Sequence, residues 1–260
     1  MNRLHLFELE DFSWFPAVLR DGGTAYLEFA IRVSGHGKAL VPPLAAALRA
    51  TGHTQLVDLC SGGGGPVRIV VDALRDAGVE VTALLTDRYP NPRAFAHAAQ
   101  GAEGRVAGHP TSVDATAVPA ELRGFRTLFN AFHHFRPAQA RAILADAQRA
   151  GQPIAIFEVV SREPAMLLAL CLTPLLVTLS LPAWRPFRWP WVLFTWVLPL
   201  MQPFILWDGL VSWLRIYSVP ELQALVAGLD APGWTWEIGT LPLPGAPAHA
   251  TYLVGRPGPA

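Results

Sequence analysis

Apolar and polar positions alternate in short blocks through the middle of the chain, and the blocks predict an order of elements. Residues 42–50 (PPLAAALRA) read as a short helix that Thr51-Gly52 ends. Residues 56–60 (LVDLC) form an apolar run of strand length that feeds straight into Ser61-Gly62-Gly63-Gly64-Gly65-Pro66. A helix over about 67–77 follows, stopped by Gly78, and then a strand over 81–86 that ends at Asp87. The same alternation gives a helix over 94–100, a strand over 105–107, a strand over 126–131, a helix over 137–150 and a strand over 154–160. Pro137 in the first turn and Gly151 just past the end mark the boundaries of that last helix. Strands alternating with helices at this spacing predict an α/β fold with a doubly wound, mostly parallel sheet. Near the end, Ser218 and Pro220 open a helix over 219–229, and strands over 234–241 and 250–254 flank the turn PLPGAP. The seven-stranded sheet is therefore expected to close with an antiparallel hairpin.

Between residues 164 and 218 the alternation disappears, and composition shows why. The chain of 260 residues is 52% apolar and only 15% charged, with 20 basic and 20 acidic residues. Eight of those 40 charges fall in the last 96 residues. Arg185 and Arg188 alone interrupt a 43-residue apolar run from 165 to 207. Three segments follow: an N-terminal helical and aromatic cap (1–50), a sheet domain (51–162 and 218–257) and an apolar helical insertion (163–217). The zero net charge excludes a nucleic-acid footprint. Two cysteines, Cys60 and Cys171, supply neither a disulfide framework nor a cysteine metal site. The acids are dispersed and the histidines lack ligand spacing, so no metal centre is expected.

In a doubly wound sheet, ligands bind beyond the carboxyl ends of the strands. The glycine run after the first strand stands there, where glycines let the backbone turn sharply and approach a ligand. It is not the dinucleotide fingerprint: from Gly62 and Gly64 the third small position is Val67, and from Gly63 and Gly65 it is Arg68. A nicotinamide-dependent reductase is thereby disfavoured. Three acids instead mark three successive strand ends: Asp58, Asp87 and Asp114. They suit a ligand with a cationic amine, a ribose and an adenine, and no pyrophosphate to repel.

This set resembles the class I S-adenosylmethionine-dependent methyltransferases, with a Rossmann-like sheet, over about 54–160 plus the closing hairpin. The resemblance implies S-adenosylmethionine as cofactor. It implies that Asp58, Cys60, Ser61, Gly62, Gly63 and Gly64 surround its methionine part, Asp87 with Arg88 its ribose, and Asp114 with Ala115 its adenine edge. Asn130, Ala131 and Phe132 would line the methyl-transfer centre. Cys60-Ser61 departs from the pattern of many relatives. A sulfonium is already a good electrophile, so such a protein mainly aligns the attack and excludes water. An oxygen or carbon acceptor also needs a base, and His133 and His134, directly after the fourth strand, are the candidates; packing and helix capping compete as roles for them.

Substrate contacts are expected from Glu158 and Arg162 on the same rim, from Arg215 and Tyr217 where the chain returns to the sheet, and from Trp14 and Phe15 in the cap. The apolar run has three readings: a buried lid, an element dipping into a membrane, and a spanning hairpin. Pro174, Pro182, Pro190, Pro199 and Pro203 interrupt it, and Arg185 with Arg188 at its tip would lie outside, against the positive-inside tendency. Lid and dipping element are therefore preferred. Six of nine tryptophans fall between 184 and 213, and Trp184 to Trp189 resembles an interfacial belt. The expectation is a cytoplasmic methyltransferase, peripheral at the inner face of the membrane through 165–207, with a small hydrophobic or lipid-like acceptor. A non-catalytic, membrane-associated protein on the same fold is the alternative, and a homo-oligomer is left open.

Overall fold

The computed structural model describes residues 3–258. Three helices lead the chain: α1 (Ala17–Ser34), α2 (His36–Ala39) and α3 (Val41–Thr51). The sheet is then built from β1 (Gln55–Asp58), α4 (Gly65–Asp76), β2 (Thr82–Leu85), α5 (Pro92–Ala99), β3 (Val106–Gly108), β4 (Phe125–Phe129), α6 (Pro137–Arg149) and β5 (Ile154–Glu158). The order across it is β3-β2-β1-β4-β5-β7-β6, where β6 is Trp234–Pro242 and β7 is His249–Pro257. The first five strands run parallel, and β7 is antiparallel to both β5 and β6. This is the α/β architecture that the sequence pattern predicts.

Every residue of β4 (FRTLF) and β5 (IAIFE) is buried, as central strands covered on both faces require. One face packs on Leu44, Leu48, Val70, Val71, Leu74 and Phe95 from α3, α4 and α5. The other packs on α6 and on α11 (Val219–Val226) through Ile143, Leu144, Leu222 and Leu225. Arg126 is one of the buried charges in these strands; its guanidinium reaches Asp146 on α6 at 2.7 Å. Two strands end earlier than their apolar runs because the backbone turns left-handed. Cys60 has φ +59° and Asn130 has φ +51°, and neither conformation continues a strand.

The N-terminal cap divides between two layers. Helix α3 belongs to the sheet core, whereas α1 packs on the insertion. The insertion comprises α7 (Pro164–Cys171), α8 (Thr173–Ser180), α9 (Trp189–Val192) continued by a π-helical turn over Leu193–Val197, and α10 (Met201–Arg215). Phe15, Leu19 and Ala25 meet Val177, Leu181, Trp184, Trp191, Met201 and Phe204 in a core of their own. The prolines fall where helices begin or break: Pro174 in the first turn of α8, Pro190 in that of α9, Pro199 just before α10. No single helix among the described residues is long and apolar enough to cross a membrane. Two pairs bent by 47° and 87° pass only when their halves are joined.

The insertion buries few of its apolar side chains. Helix α7 has no buried residue, and Leu168, Leu172, Leu175, Leu176, Leu179, Trp189, Trp196, Val197 and Leu198 are all exposed. The tryptophans split accordingly. Trp184 and Trp191 fill the helical core edge to face, while Trp189 is 76% exposed. Trp184 therefore does not belong to an outward belt, because its ring is enclosed by Tyr26 and Trp191.

Candidate active site

The glycine turn sits at the switch point, with β2 on one side of β1 and β4 on the other. Its glycines serve different ends. Gly64, at φ +75°, brings the chain against Leu85, where a Cβ would come within 2.6 Å of a methyl. At Gly63 and Gly65 a Cβ would strike Thr24 and Glu28 at 2.5 and 2.6 Å, so α1 lies directly on the turn. Only Gly62, at φ +53°, faces open space. Its N–H donates to Asp87 Oδ2 at 3.0 Å.

Asp58 closes β1, Asp87 follows β2 by two residues, and Asp114 lies in the loop six residues past β3. Asp58 is buried, with Ser61 Oγ donating to Oδ2 at 2.6 Å and Thr127 Oγ1 to Oδ1 at 2.7 Å. Burial outweighs these hydrogen bonds and pushes its carboxyl up to about 7. Cys60 beside it is held left-handed, and burial pushes its thiol up. Asp87 Oδ1 accepts from the Tyr89 N–H at 2.8 Å. Arg88 lies 3.6 Å from Asp114, whose other oxygen accepts from the Thr116 N–H and hydroxyl. At the end of β4, Asn130 Oδ1 accepts from the Val159 N–H at 2.7 Å and ties β4 to β5. Ala115, Ala131 and Phe132 are buried, and Phe132 packs against Tyr217 at 5.5 Å between ring centres. An open backbone at Gly62 between two carboxylates can take hydroxyls and a cationic group of one ligand.

The histidines lie in a different setting from that of free bases. His133 Nδ1 meets Glu158 Oε2 at 2.8 Å, and its peptide N–H donates to Glu158 Oε1 at 3.0 Å. Its Nε2 points at Glu8 Oε1, 3.8 Å away. His134 Nδ1 lies 3.1 Å from Asp11 and 3.4 Å from Glu8, and its Nε2 lies 3.8 Å from Glu10. Burial alone would lower the His134 imidazole, but the carboxylates of Glu8, Asp11 and Glu10 outweigh it and raise it to about 9. In the absence of another cation these carboxylates favour the protonated ring, which sets His134 apart from a free base.

Arg215 completes the cluster, with Nη1 3.2 Å from Glu8 and Nη2 2.8 Å from Asp11. Burial opposes ionisation of Asp11, yet hydrogen bonds with His134 and Arg215 hold it below the usual carboxylate range. Asp208 on α10 accepts from the N–H groups of Leu9 and Glu10 at 2.8 and 3.1 Å, and burial pushes it up to about 7. Residues 3–12 are thereby stitched to α10 and to the turn after β4. Nothing in the sequence pattern marks Arg3, Glu8 or Asp11 for this, because their partners are far away along the chain; Asp208 stands out as a charge closing the apolar run, and its partners are the N–H groups of Leu9 and Glu10.

The expected substrate residues are dispersed among internal contacts. Glu158 and Arg215 are in the cluster just described. Phe15 is buried 4.7 Å from the Phe204 ring, and the exposed Trp14 stacks on Phe12. Tyr217 donates its hydroxyl to Phe135 O at 2.7 Å and lies under the Arg3 guanidinium, 4.1 Å from the ring centre. Arg162 pairs with Glu221. Arg162 and Tyr217 also border a cavity of about 200 Å³ where the insertion leaves and rejoins the sheet.

No family model matches the chain, and no curated protein matches it. Solved structures do. The pyocyanin biosynthetic protein PhzM superposes with a TM-score of 0.51 at 16% identity, over 88% of this chain and 56% of its own. An O-methyltransferase family protein from Burkholderia thailandensis gives 0.50 at 16%, over 89% and 58%. The O-methyltransferase NcsB1 of neocarzinostatin biosynthesis, in complex with S-adenosylmethionine and 2-hydroxy-5-methyl naphthoic acid, gives 0.52 at 15%, over 89% and 55%. The chain has the fold of these three proteins, and it spans a little over half of their length.

Proposed function

We propose that the protein is an S-adenosylmethionine-dependent methyltransferase acting on a hydrophobic, lipid-like acceptor, with oxygen as the preferred atom. One observation carries the reading: Gly62 offers open backbone between Asp58 and Asp87 at the switch point, with Asp114 at the next strand end, on the fold described above. The residues present fit the cofactor. Asp87 offers a carboxylate to vicinal hydroxyls, the Asp114 turn borders a place for the adenine, and Asp58 stands behind a place for the amine. The turn is closed on the α1 side by Thr24 and Glu28, so approach is from the Gly62 side. When bound, the cofactor supplies an electrophilic methyl on a sulfonium. The chain's own task is to align an acceptor at Asn130 and to keep water out. With His133 and His134 engaged by carboxylates, an acceptor whose hydroxyl ionises readily suits the site best.

The acceptor side rests on the insertion. Its exposed leucines and tryptophans form an apolar face far larger than single surface residues require. Bent helices of this kind, lying in rather than across a bilayer, would collect a lipid-soluble acceptor at the inner face of the membrane. Two experiments test the reading. Calorimetry with S-adenosylmethionine is expected to show one site per chain, weakened at least tenfold in Asp87→Ala; absence of binding would leave the non-catalytic membrane protein. Flotation with liposomes is expected to carry the protein upward. Recovery of monomers entirely in the liposome-free fraction contradicts membrane contact, and a dimer burying this face assigns the face to a second copy.

A further inference from the structure

The buried cluster under the N-terminal segment contains an imbalance that the methyltransferase reading does not use. Glu8 is fully buried, and its two oxygens differ. Oε1 takes Arg215 and the Ser212 hydroxyl, the latter at 3.0 Å. Oε2 has no hydrogen-bond partner. A buried carboxylate oxygen without a donor costs on the order of 1–3 kcal/mol or more. Oε2 faces His134 Nδ1 at 3.4 Å, and His133 Nε2 stands 3.8 Å from Oε1. One ligand atom from each of Glu8, His133 and His134 lies within 4.8 Å of the other two. The 3.4 Å between Glu8 Oε2 and His134 Nδ1 matches the edge of a tetrahedron whose bonds are about 2.0–2.1 Å, and His133 Nε2, 3.8 Å from Oε1, reaches the same point by a side-chain adjustment.

The surroundings are those that a metal-ligating histidine needs. With Glu158 accepting from His133 Nδ1–H, the neutral ring presents its Nε2 lone pair to Glu8. That lone pair beside a carboxylate is repulsive unless a proton or a metal ion stands between them. Arg215 holds Glu8 Oε1 and Asp11 Oδ2, so the oxygens on the histidine side are the ones left over. Four carboxylates, Glu8, Glu10, Asp11 and Glu158, thus gather round two imidazoles with Arg215 as the cation in contact with two of them.

We infer that Glu8, His133 and His134 form a binding site for a divalent transition metal ion of the zinc type, with Glu158 as the group that orients His133. Two imidazoles and one carboxylate select such an ion over magnesium or calcium, which take oxygen ligands. Glu8 comes from the N-terminal segment and the histidines from the turn after β4, so the ion would staple that segment to the rim. The inference stands on the cluster alone and does not require the cofactor.

The test uses the whole tag-free chain, stripped with chelator and titrated with Co²⁺ alone and then Zn²⁺. The expected result is one Co²⁺ per chain with a visible spectrum of low-coordinate cobalt, displaced by Zn²⁺, and a melting temperature that rises with Zn²⁺. Glu8→Gln and His134→Asn are each expected to weaken binding at least 100-fold, and Glu158→Gln by about 10–100-fold. Far-ultraviolet circular dichroism of the metal-free variants reports whether they fold. Should Glu8→Gln fail to fold, the half-buried His134→Asn carries the comparison. Failure of wild-type protein to bind either ion at micromolar concentration, or unchanged binding in His134→Asn, overturns the inference. Loss of cofactor binding with metal binding intact would instead count against the methyltransferase.

Discussion

Asp58 shows how a single side chain joins stability to ligand binding. Its ordinary value is 3.8, and burial in the folded protein pushes it to about 7. Between these values the native state holds a proton that the unfolded chain has released. The stability contributed is complete below about pH 4 and is lost as pH rises toward 7, by a few kcal/mol. Asp208, raised to about 7 in the same way, contributes a slope of the same sign, so urea titrations across this range should show a steeper fall in wild type than in Asp58→Asn. A cationic amine placed beside Asp58 favours the ionised form. Cofactor affinity is therefore predicted to rise through pH 7 with proton release, which calorimetry in buffers of different ionisation enthalpy measures; a pH-independent affinity would remove Asp58 from the amine site. Asp58 was legible in the sequence because an acid inside an apolar strand is rare. Its partners Ser61 and Thr127 were not, since hydroxyls carry no pattern of their own.

At the scale of elements, the N-terminal segment and the insertion behave differently from the sheet. Arg215 is the cation shared by Glu8 and Asp11, and all three come together only when residues 3–12 dock on α10. Arg215→Leu leaves the buried Glu8 carboxylate uncompensated and is predicted to cost about 3–5 kcal/mol in denaturant unfolding; a cost under about 1 kcal/mol would mean that the segment is held by other contacts. The exposed face of α7 and α8 makes the opposite prediction. Leu172, Leu175 and Leu179 are exposed, so a triple change to Ser should leave the melting temperature within a few degrees of wild type and abolish liposome flotation. A large loss of stability would show that these leucines are packed. The sheet elements were legible because their apolar runs are short and bounded by glycine, proline or an acid. The insertion was not, because a segment that is apolar all round has no periodicity to set a face. Only its prolines hinted at where helices would begin.

The whole molecule combines a mostly parallel sheet whose glycine turn is open at Gly62, a helical layer made by α1 and the insertion, and an ionic cluster clamping the N-terminal segment between them. Composition divides a charged sheet from an apolar insertion; in the fold α1 packs with the insertion and α3 with the sheet, because helix propensity does not say which core a helix joins. The cluster around His133 was only half visible: the histidine pair stood out, but Glu8 and Arg215 reach it from opposite ends of the chain. The central claim is that this assembly moves a methyl group from the crevice to a greasy acceptor. The most direct measurement incubates the protein with methyl-labelled S-adenosylmethionine and a membrane lipid extract, then counts label in the organic phase. Label that enters the organic phase with wild type and falls at least tenfold with Asp87→Ala is the predicted result. No label above background, from protein that binds the cofactor, would contradict it.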